Sequence, residues 1–263
     1  MQALLHTAIR AAHEAGRAIL DIYHSGDFDV TVKGDDSPLT RADVASHEVI
    51  VRHLDATGIP VLSEEGRDMP YPERSAWSEL WIVDPIDGTK EFIKRNGEFT
   101  VNIALARDGV PVLGVIYVPV TGELYVGMEG EGARKALCPA DATVDPASVL
   151  AGADRLPLHK GDRPYTVVAS RSHLSAETEA FIAGLRQEHG EVICMSKGSS
   201  LKLCMVAEGA ADCYPRFAPT MEWDTAAGQA ICMAAGLDVI DQDTGRTMRY
   251  NREQLLNAWF LVK

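Results

Sequence analysis

Apolar residues recur at Leu4, Ala8, Ala12, Ala15, Ile19 and Ile22. That spacing puts them on one side of a 3.6-residue helix and predicts an amphipathic helix over residues 3–24. A polar loop over 33–38 leads to a second predicted helix, from about Ala42 to Asp55. Thr40 falls at its N-cap with Asp43 three residues on, close to a capping box. The period then shortens. Val61–Leu62 and Leu80–Val83 are apolar runs of strand length, and strands are predicted near Thr100–Arg107, Val112–Val118 and Glu123–Gly127, with a hairpin turn at Pro119–Gly122. Residues 136–164 are rich in Ala, Asp and Pro without a sustained period, which marks a boundary or connecting loop. Beyond it, strands at Thr166–Ala169, Val192–Met195 and Ala211–Tyr214 alternate with helices at Ala176–Glu188, Ser200–Ala207 and Asp224–Ala235. Gly236 stops the last helix, and short strands near Leu237–Ile240 and Phe260–Val262 finish the chain. Meander-like strands early and α/β alternation late predict layered sheets and helices in two lobes, 1–140 and 141–263.

The chemistry of the chain collects at the ends of these elements. The strand Leu80–Val83 runs into Asp84-Pro-Ile-Asp-Gly-Thr89, where Pro85 and Gly88 make a tight turn. Asp84, the Ile86 carbonyl and Asp87 are three hard oxygen donors beside free backbone N–H groups, a set suited to divalent cations holding a phosphate. Asp-Pro and Asp-Gly are also ordinary turn dipeptides. What separates the readings is the company they keep: Glu64-Glu65 upstream and Trp223-Asp224 far downstream. Two-metal sites need bridging carboxylates from different segments. A bland use exists for each residue taken singly: a solvated turn for Glu64, a helix N-cap for Asp224, the capping box for Asp43. None of these predicts the combination. Thr89 follows Gly88 and is placed to cap a short helix through Phe92 and to orient a water. His173 reads as a surface or structural histidine. Gly127-Met-Glu-Gly-Glu-Gly132 lacks a following helix pattern, so it reads as a strand-end turn and not a nucleotide loop.

Composition narrows the partner. The net charge of −13 argues against a nucleic-acid polymer, which needs a basic surface. A small phosphate substrate remains compatible, because metal ions reverse the local sign of a carboxylate-rich site. Five cysteines without a Cys-x-x-Cys pair or zinc spacing point to reduced, mostly buried thiols. The first residues carry His6, Arg10 and Glu14 where a signal sequence would be apolar, and no apolar run approaches the roughly 18 residues of a membrane span. The expectation is a cytoplasmic protein.

Taken together, Asp84-Pro-Ile-Asp-Gly-Thr89, Trp223-Asp224 and Leu62-Ser-Glu-Glu-Gly66 resemble the signatures of the inositol monophosphatase superfamily, and the similarity spans nearly the whole chain. Within it the chain most resembles the bacterial 3′(2′),5′-bisphosphate nucleotidases, through Gly88–Lys94, Asn96–Asn102, Val168–His173, Gly198–Lys202, Ala207–Asp212, Tyr214–Phe217 and Glu222–Gly228. The resemblance implies a layered α-β-α-β-α fold, dependence on two or three Mg2+ ions, lithium sensitivity, and removal of the 3′-phosphate from adenosine 3′,5′-bisphosphate. Some relatives lie peripherally on the inner membrane face, which nothing in this sequence shows. Position by position, it implies Glu64, Asp84, the Ile86 carbonyl, Asp87 and Asp224 as metal ligands. It implies Thr89 and Asp43 as the pair that polarises the attacking water, with Glu64 counted among the catalytic groups, and the Ile86–Thr89 backbone as the phosphate cradle. Ser199, Lys202 and Arg216 are the expected site for the second phosphate, joined in the substrate set by Glu64, Ile86, Asp87, Gly88, Thr89 and Asp224. An acidic residue near position 216 meets sugar hydroxyls in inositol phosphatases, so Arg216 departs toward phosphate binding. The alternatives are an inositol or other sugar-phosphate phosphatase with the same metals, and a metal- or nucleotide-binding regulatory protein.

Overall fold

The first helix, α1 (Gln2–Ser25), buries Ala8, Ile9, Ala12, Ala15 and Ile19 and ends at Gly26 in the left-handed region, φ 76°. Strands β1 (Thr31–Val32) and β2 (Pro38–Leu39) precede α2 (Arg41–Asp55). Then come β3 (Val61–Ser63), α3 (Tyr71–Arg74), β4 (Glu79–Asp87), α4 (Thr89–Ile93), β5 (Thr100–Arg107), β6 (Val110–Val118), β7 (Glu123–Met128) and β8 (Gly132–Leu137). The second half holds α5 (Pro146–Ala151), β9 (Asp154–Arg155), β10 (Tyr165–Val168), α6 (Ala176–His189), β11 (Val192–Met195), α7 (Leu201–Ala207) and β12 (Tyr214–Arg216). It closes with α8 (Glu222–Ala234), β13 (Val239–Asp241), β14 (Arg246–Thr247) and β15 (Phe260–Val262). This computed structural model describes residues 1–26, 28–32, 38–158, 163–169 and 175–263. The polar loop at 33–37 and the His173 segment, 170–174, lie outside the described residues.

Strands β3 to β9 form one seven-stranded sheet in sequence order, parallel between β3 and β4 and antiparallel elsewhere. Its central strands are buried on both faces, which is why Leu80–Val83 reads as a continuous apolar run. Trp81 and Val83 face α1 and α2, while Leu80 and Ile82 face α8 and the second half of the chain. Helix α8 can lie close to the sheet because β6 and β7 present glycines beneath it. A Cβ on Gly114 would stand 2.3 Å from the Ala227 carbonyl oxygen, and one on Gly127 would stand 2.6 Å from the Ile231 Cα. On the far side of α7 and α8 lies the four-stranded sheet β12-β15-β13-β14, with the parallel pair β10-β11 beside it through a Val167–Cys213 bridge. Helix α6 covers that outer layer through Ile182, which packs with Val167, Cys213 and Leu261. The order is the expected α-β-α-β-α sandwich. Among the described residues no helix is long and apolar enough to cross a membrane.

Several boundaries differ from the sequence reading. The stretch after Gly127 continues into a hairpin with β8, and the segment taken as connecting loop contains α5 and β9, which pairs with β8 at the sheet edge. Alternation fails there because β8 is only partly covered, so its side chains carry no clear two-residue period. Asp145 caps α5 by accepting from the Ser148 N–H at 3.2 Å. The strand expected at Ala211–Tyr214 runs instead from Tyr214 to Arg216, so Arg216 is the last residue of β12, and Lys202 is the second residue of α7.

Candidate active site

Four segments meet at one end of the seven-stranded sheet. The end of β4 brings Asp84 and Asp87, the start of α2 brings Asp43, the start of α8 brings Asp224, and the turn after β3 brings Glu64. Strand β4 loses regular register with β5 between Asp84 and Asp87, and the kink turns both carboxylates toward the same side. One carboxylate oxygen from each of Asp84, Asp87 and Asp224 lies within 4.8 Å of the others. Asp84 is buried and its Oδ1 accepts from the Ile86 N–H at 3.0 Å. The cradle expected from Ile86–Thr89 is therefore shorter by one donor, because that N–H is already engaged. Gly88 makes the sharp turn into α4 with φ 94°, a conformation that a side chain disfavours. The first N–H groups of α4 have no acceptor within the helix.

Asp43 closes the capping box and also contacts Thr89, its expected partner. Its Oδ2 accepts from the Thr40 N–H at 2.8 Å and from the Thr40 hydroxyl at 2.6 Å, closing the capping box. Its Oδ1 accepts from the Thr89 hydroxyl at 3.2 Å. The same division appears at Asp224. It stands at the third position of α8, whose cap is Met221, so the alternative use as an N-cap residue does not apply. Its Oδ2 still reaches back to accept from the Met221 N–H at 2.8 Å.

These carboxylates crowd one another. Burial, then the charges of Glu64, Asp87 and Asp224, hold Asp84 well above the usual carboxylate range, and a hydrogen bond with Glu64 adds to the shift. Burial and the Asp87 charge raise Asp224 as well. Hard oxygen donors that repel each other at this spacing form a set that a divalent cation would satisfy.

A cavity of about 670 Å³ opens from Asp87 and Asp224 and reaches Ser199, Lys202, Tyr214 and Arg216. The Lys202 ammonium is buried and donates to the Ser199 and Lys197 carbonyls at 2.7 and 3.2 Å. Burial brings it down to about 8, against the opposite pull of Asp87. Arg216 donates through Nη2 to the Pro219 carbonyl at 3.0 Å, whereas its buried Nε and the Ser196 hydroxyl have no hydrogen-bond partner among the described residues. Sequence reasoning missed Ser196, Ser200, Thr100 and Asn102 as site residues. The last three form a buried chain behind Asp87, and a signal existed only in their repeated small polar character. Lys90, Lys94 and Lys197 also line the cavity, together with Glu91 and Glu98.

Residues 1–259 match the model of the inositol monophosphatase family. Among curated proteins, the chain is 47% identical over 264 residues to the 3′(2′),5′-bisphosphate nucleotidase CysQ of Shigella flexneri, covering 98% of this chain and 99% of that one. Among solved structures, CysQ of Bacteroides thetaiotaomicron, a bacterial member of the same family, is 54% identical with a TM-score of 0.92, covering 100% of this chain and 97% of that one. The inositol monophosphatase of Anabaena shares the fold, with a TM-score of 0.70 at 23% identity over 100% of this chain and 90% of that one.

Proposed function

We propose that this chain, which belongs to the inositol monophosphatase family, is a Mg2+-dependent 3′(2′),5′-bisphosphate nucleotidase converting adenosine 3′,5′-bisphosphate to AMP and phosphate. The observation that carries the reading is that one cavity holds both signs of charge: carboxylates at Asp87 and Asp224 together with Lys202 and Arg216, whose guanidinium Nε has no hydrogen-bond partner among the described residues. The acidic pole alone would serve any phosphatase of the family. The cationic pole is what a second phosphate needs, because it lies beyond the reach of ions at the first.

Glu64, Asp84, Asp87, Asp224 and the Ile86 carbonyl are the groups that would hold two or three Mg2+ ions. Bound there, the ions supply charge that offsets the phosphate oxygens and lower the pKa of a coordinated water. The protein's own groups do the rest. Thr89 has one hydroxyl proton, and with that proton on Asp43 Oδ1 its lone pairs face outward to accept from the attacking water. Asp43 then holds the proton passed through Thr89, and Glu64 stands as the second catalytic carboxylate beside Asp84. The Gly88 and Thr89 N–H groups cradle the reacting phosphate. Ser199, Lys202 and Arg216 hold the other phosphate, Arg216 through two N–H groups and Lys202 as a point charge. The lobe 1–140 thus contributes most ion ligands, and the lobe 141–263 contributes Asp224 and the second-phosphate site.

Phosphate release from a panel of nucleoside bisphosphates and inositol phosphates, with and without Mg2+, tests the assignment. Adenosine 3′,5′-bisphosphate should be the preferred substrate, and Arg216→Ala should raise its KM at least about tenfold, the loss of one charge-assisted contact. A simple monophosphate should suffer much less. A wild-type preference for inositol phosphates would replace the nucleotidase reading with the sugar-phosphate one. Nucleotide binding without Mg2+-dependent hydrolysis would favour the regulatory one.

A further inference from the structure

Ser200 is buried at the junction of the two halves of the site, one residue before α7, and its hydroxyl meets three partners. Oγ lies 2.7 Å from Asp87 Oδ2 and 2.8 Å from the Asp224 carbonyl oxygen, and it accepts from Asn102 Nδ2 at 2.8 Å. Asn102 Oδ1 in turn accepts from the Thr100 hydroxyl at 2.9 Å. The chemistry of these groups fixes the direction of the chain. An amide nitrogen only donates, so Ser200 must accept from Asn102, and its single proton then goes forward to the carboxylate or the carbonyl. A carboxylate oxygen is a stronger acceptor than a backbone carbonyl. Thr100, Asn102 and Ser200 therefore form a one-way relay of hydrogen bonds ending on Asp87 Oδ2, which leaves Asp87 Oδ1 unconstrained by it.

The backbone around Ser200 is held for this geometry. Ser199 lies in the left-handed region at φ 43°, unusual for a residue other than glycine, and Lys202 Nζ grips both its carbonyl and that of Lys197. Gly198 packs so closely on the preceding lobe that a Cβ would stand 2.8 Å from the Glu98 carbonyl oxygen. Ser200 thus holds Asp87 at the end of β4 while its Oγ rests against the Asp224 carbonyl at the start of α8.

We propose that Ser200 is a positioning residue for the ion site. By orienting Asp87 beside the first turn of α8, it sets the spacing of the carboxylates and so the affinity for the divalent cation. This rests on the reading of Asp87 and Asp224 as ion ligands. Partners behind a ligand, such as these, typically account for about 10- to 100-fold in metal affinity or activity.

The test is Mn2+ binding to the metal-free protein, followed by electron paramagnetic resonance without substrate. Ser200→Ala should weaken Mn2+ binding about 10- to 100-fold, and Ser200→Thr, which keeps the hydroxyl, should restore most of it. In turnover, Ser200→Ala should demand more Mg2+ for half-activation and lower kcat at saturating Mg2+, with KM for the bisphosphate little changed. Thermal midpoints of the metal-free variants check folding. Should Ser200→Ala not fold, Ser200→Cys keeps the volume, weakens the donor and is read the same way. Unchanged Mn2+ affinity in the folded variant would overturn the proposal whatever the midpoint does, as would equal weakening in Ser200→Thr. A wild type that binds Mn2+ but spares every bisphosphate would refute the proposed function and leave this inference standing.

Discussion

At the scale of single residues, the site is economical because its carboxylates do two jobs with two oxygens. Asp43 closes the capping box of α2 with Oδ2 and receives the Thr89 hydroxyl with Oδ1. Asparagine has one acceptor and cannot do both. If its oxygen keeps the cap, its Nδ2 faces Thr89 as a donor and turns the hydroxyl proton toward the cavity, the wrong direction for accepting from water. Asp43→Asn should therefore lose about 1 kcal/mol of stability and about 10²- to 10⁴-fold in turnover. Thr89→Ala should lose comparable turnover with the cap intact. Denaturant melts and kcat on both variants separate the roles, and full activity in either would remove the relay. Asp87→Asn carries a broader claim, since it takes charge from the cation site and leaves the fold. Its turnover should fall by roughly three powers of ten or more, and near-wild-type rates across a Mg2+ titration would contradict the ion-ligand role. The acidic set was legible because Asp84, Asp87, Glu64 and Asp224 sit at element ends in turn-forming company. The Thr100–Asn102–Ser200 relay was not, because it exists only once β5 and the loop before α7 are brought together, and its residues are of types found in any strand or turn.

At the scale of elements, long runs with a clean period were readable and marginal ones were not. Helices α1 and α2 and strands β4 to β7 follow the expected ranges to within a few residues, since each buries a full face or both faces. Strands β8 and β9 and helix α5 were absent from the reading, because short and partly exposed elements owe their form to neighbours more than to their own pattern. The placement of α8 was likewise invisible: it depends on Gly114 and Gly127, which in sequence only weaken their strands. In the fold they let the helix backbone settle on the sheet, and that approach sets the depth of Asp224. Gly114→Ala would force a Cβ against the Ala227 carbonyl oxygen and the Ala230 Cβ, at 2.3 and 2.8 Å. Overpacking of this kind costs about 1–3 kcal/mol, or a drop of roughly 2–4 °C per kcal/mol in a chain of this size. Because Asp224 rides on the displaced helix, half-activation by Mg2+ should also shift upward. A thermal melt and a Mg2+ titration check both, and an unchanged midpoint would mean that the layer has slack.

At the scale of the whole molecule, the five layers gather acidic groups from distant parts of the chain into one place, against a net charge already at −13. Assembling that cluster has a cost that depends on pH. Asp84 and Asp224 are held above their ordinary pKa by burial and mutual charge, so between the usual carboxylate range and those raised values the folded state binds more protons than the unfolded one. The protonated forms contribute stability fully at low pH, and that contribution is lost as pH rises through the folded values, by about 1.4 kcal/mol per pH unit for each proton involved. Other groups titrate in the same range: His47, for example, is shifted down by burial and acts in the opposite direction. Comparing the protein with and without Mg2+ at each pH largely removes such terms, because those remote from the site are common to both states. A divalent cation requires the deprotonated carboxylates and binds only the folded site, adding about 2.7 kcal/mol at a hundredfold excess over Kd. The increment in thermal midpoint given by Mg2+ over a chelator should thus be small near about pH 5 and grow toward about pH 8. Asp87→Asn and Asp224→Asn should flatten that growth, since each removes a charge that opposes its neighbours. An increment independent of pH, or one largest in acid, would show that the cluster is already neutralised within the protein and does not await a cation.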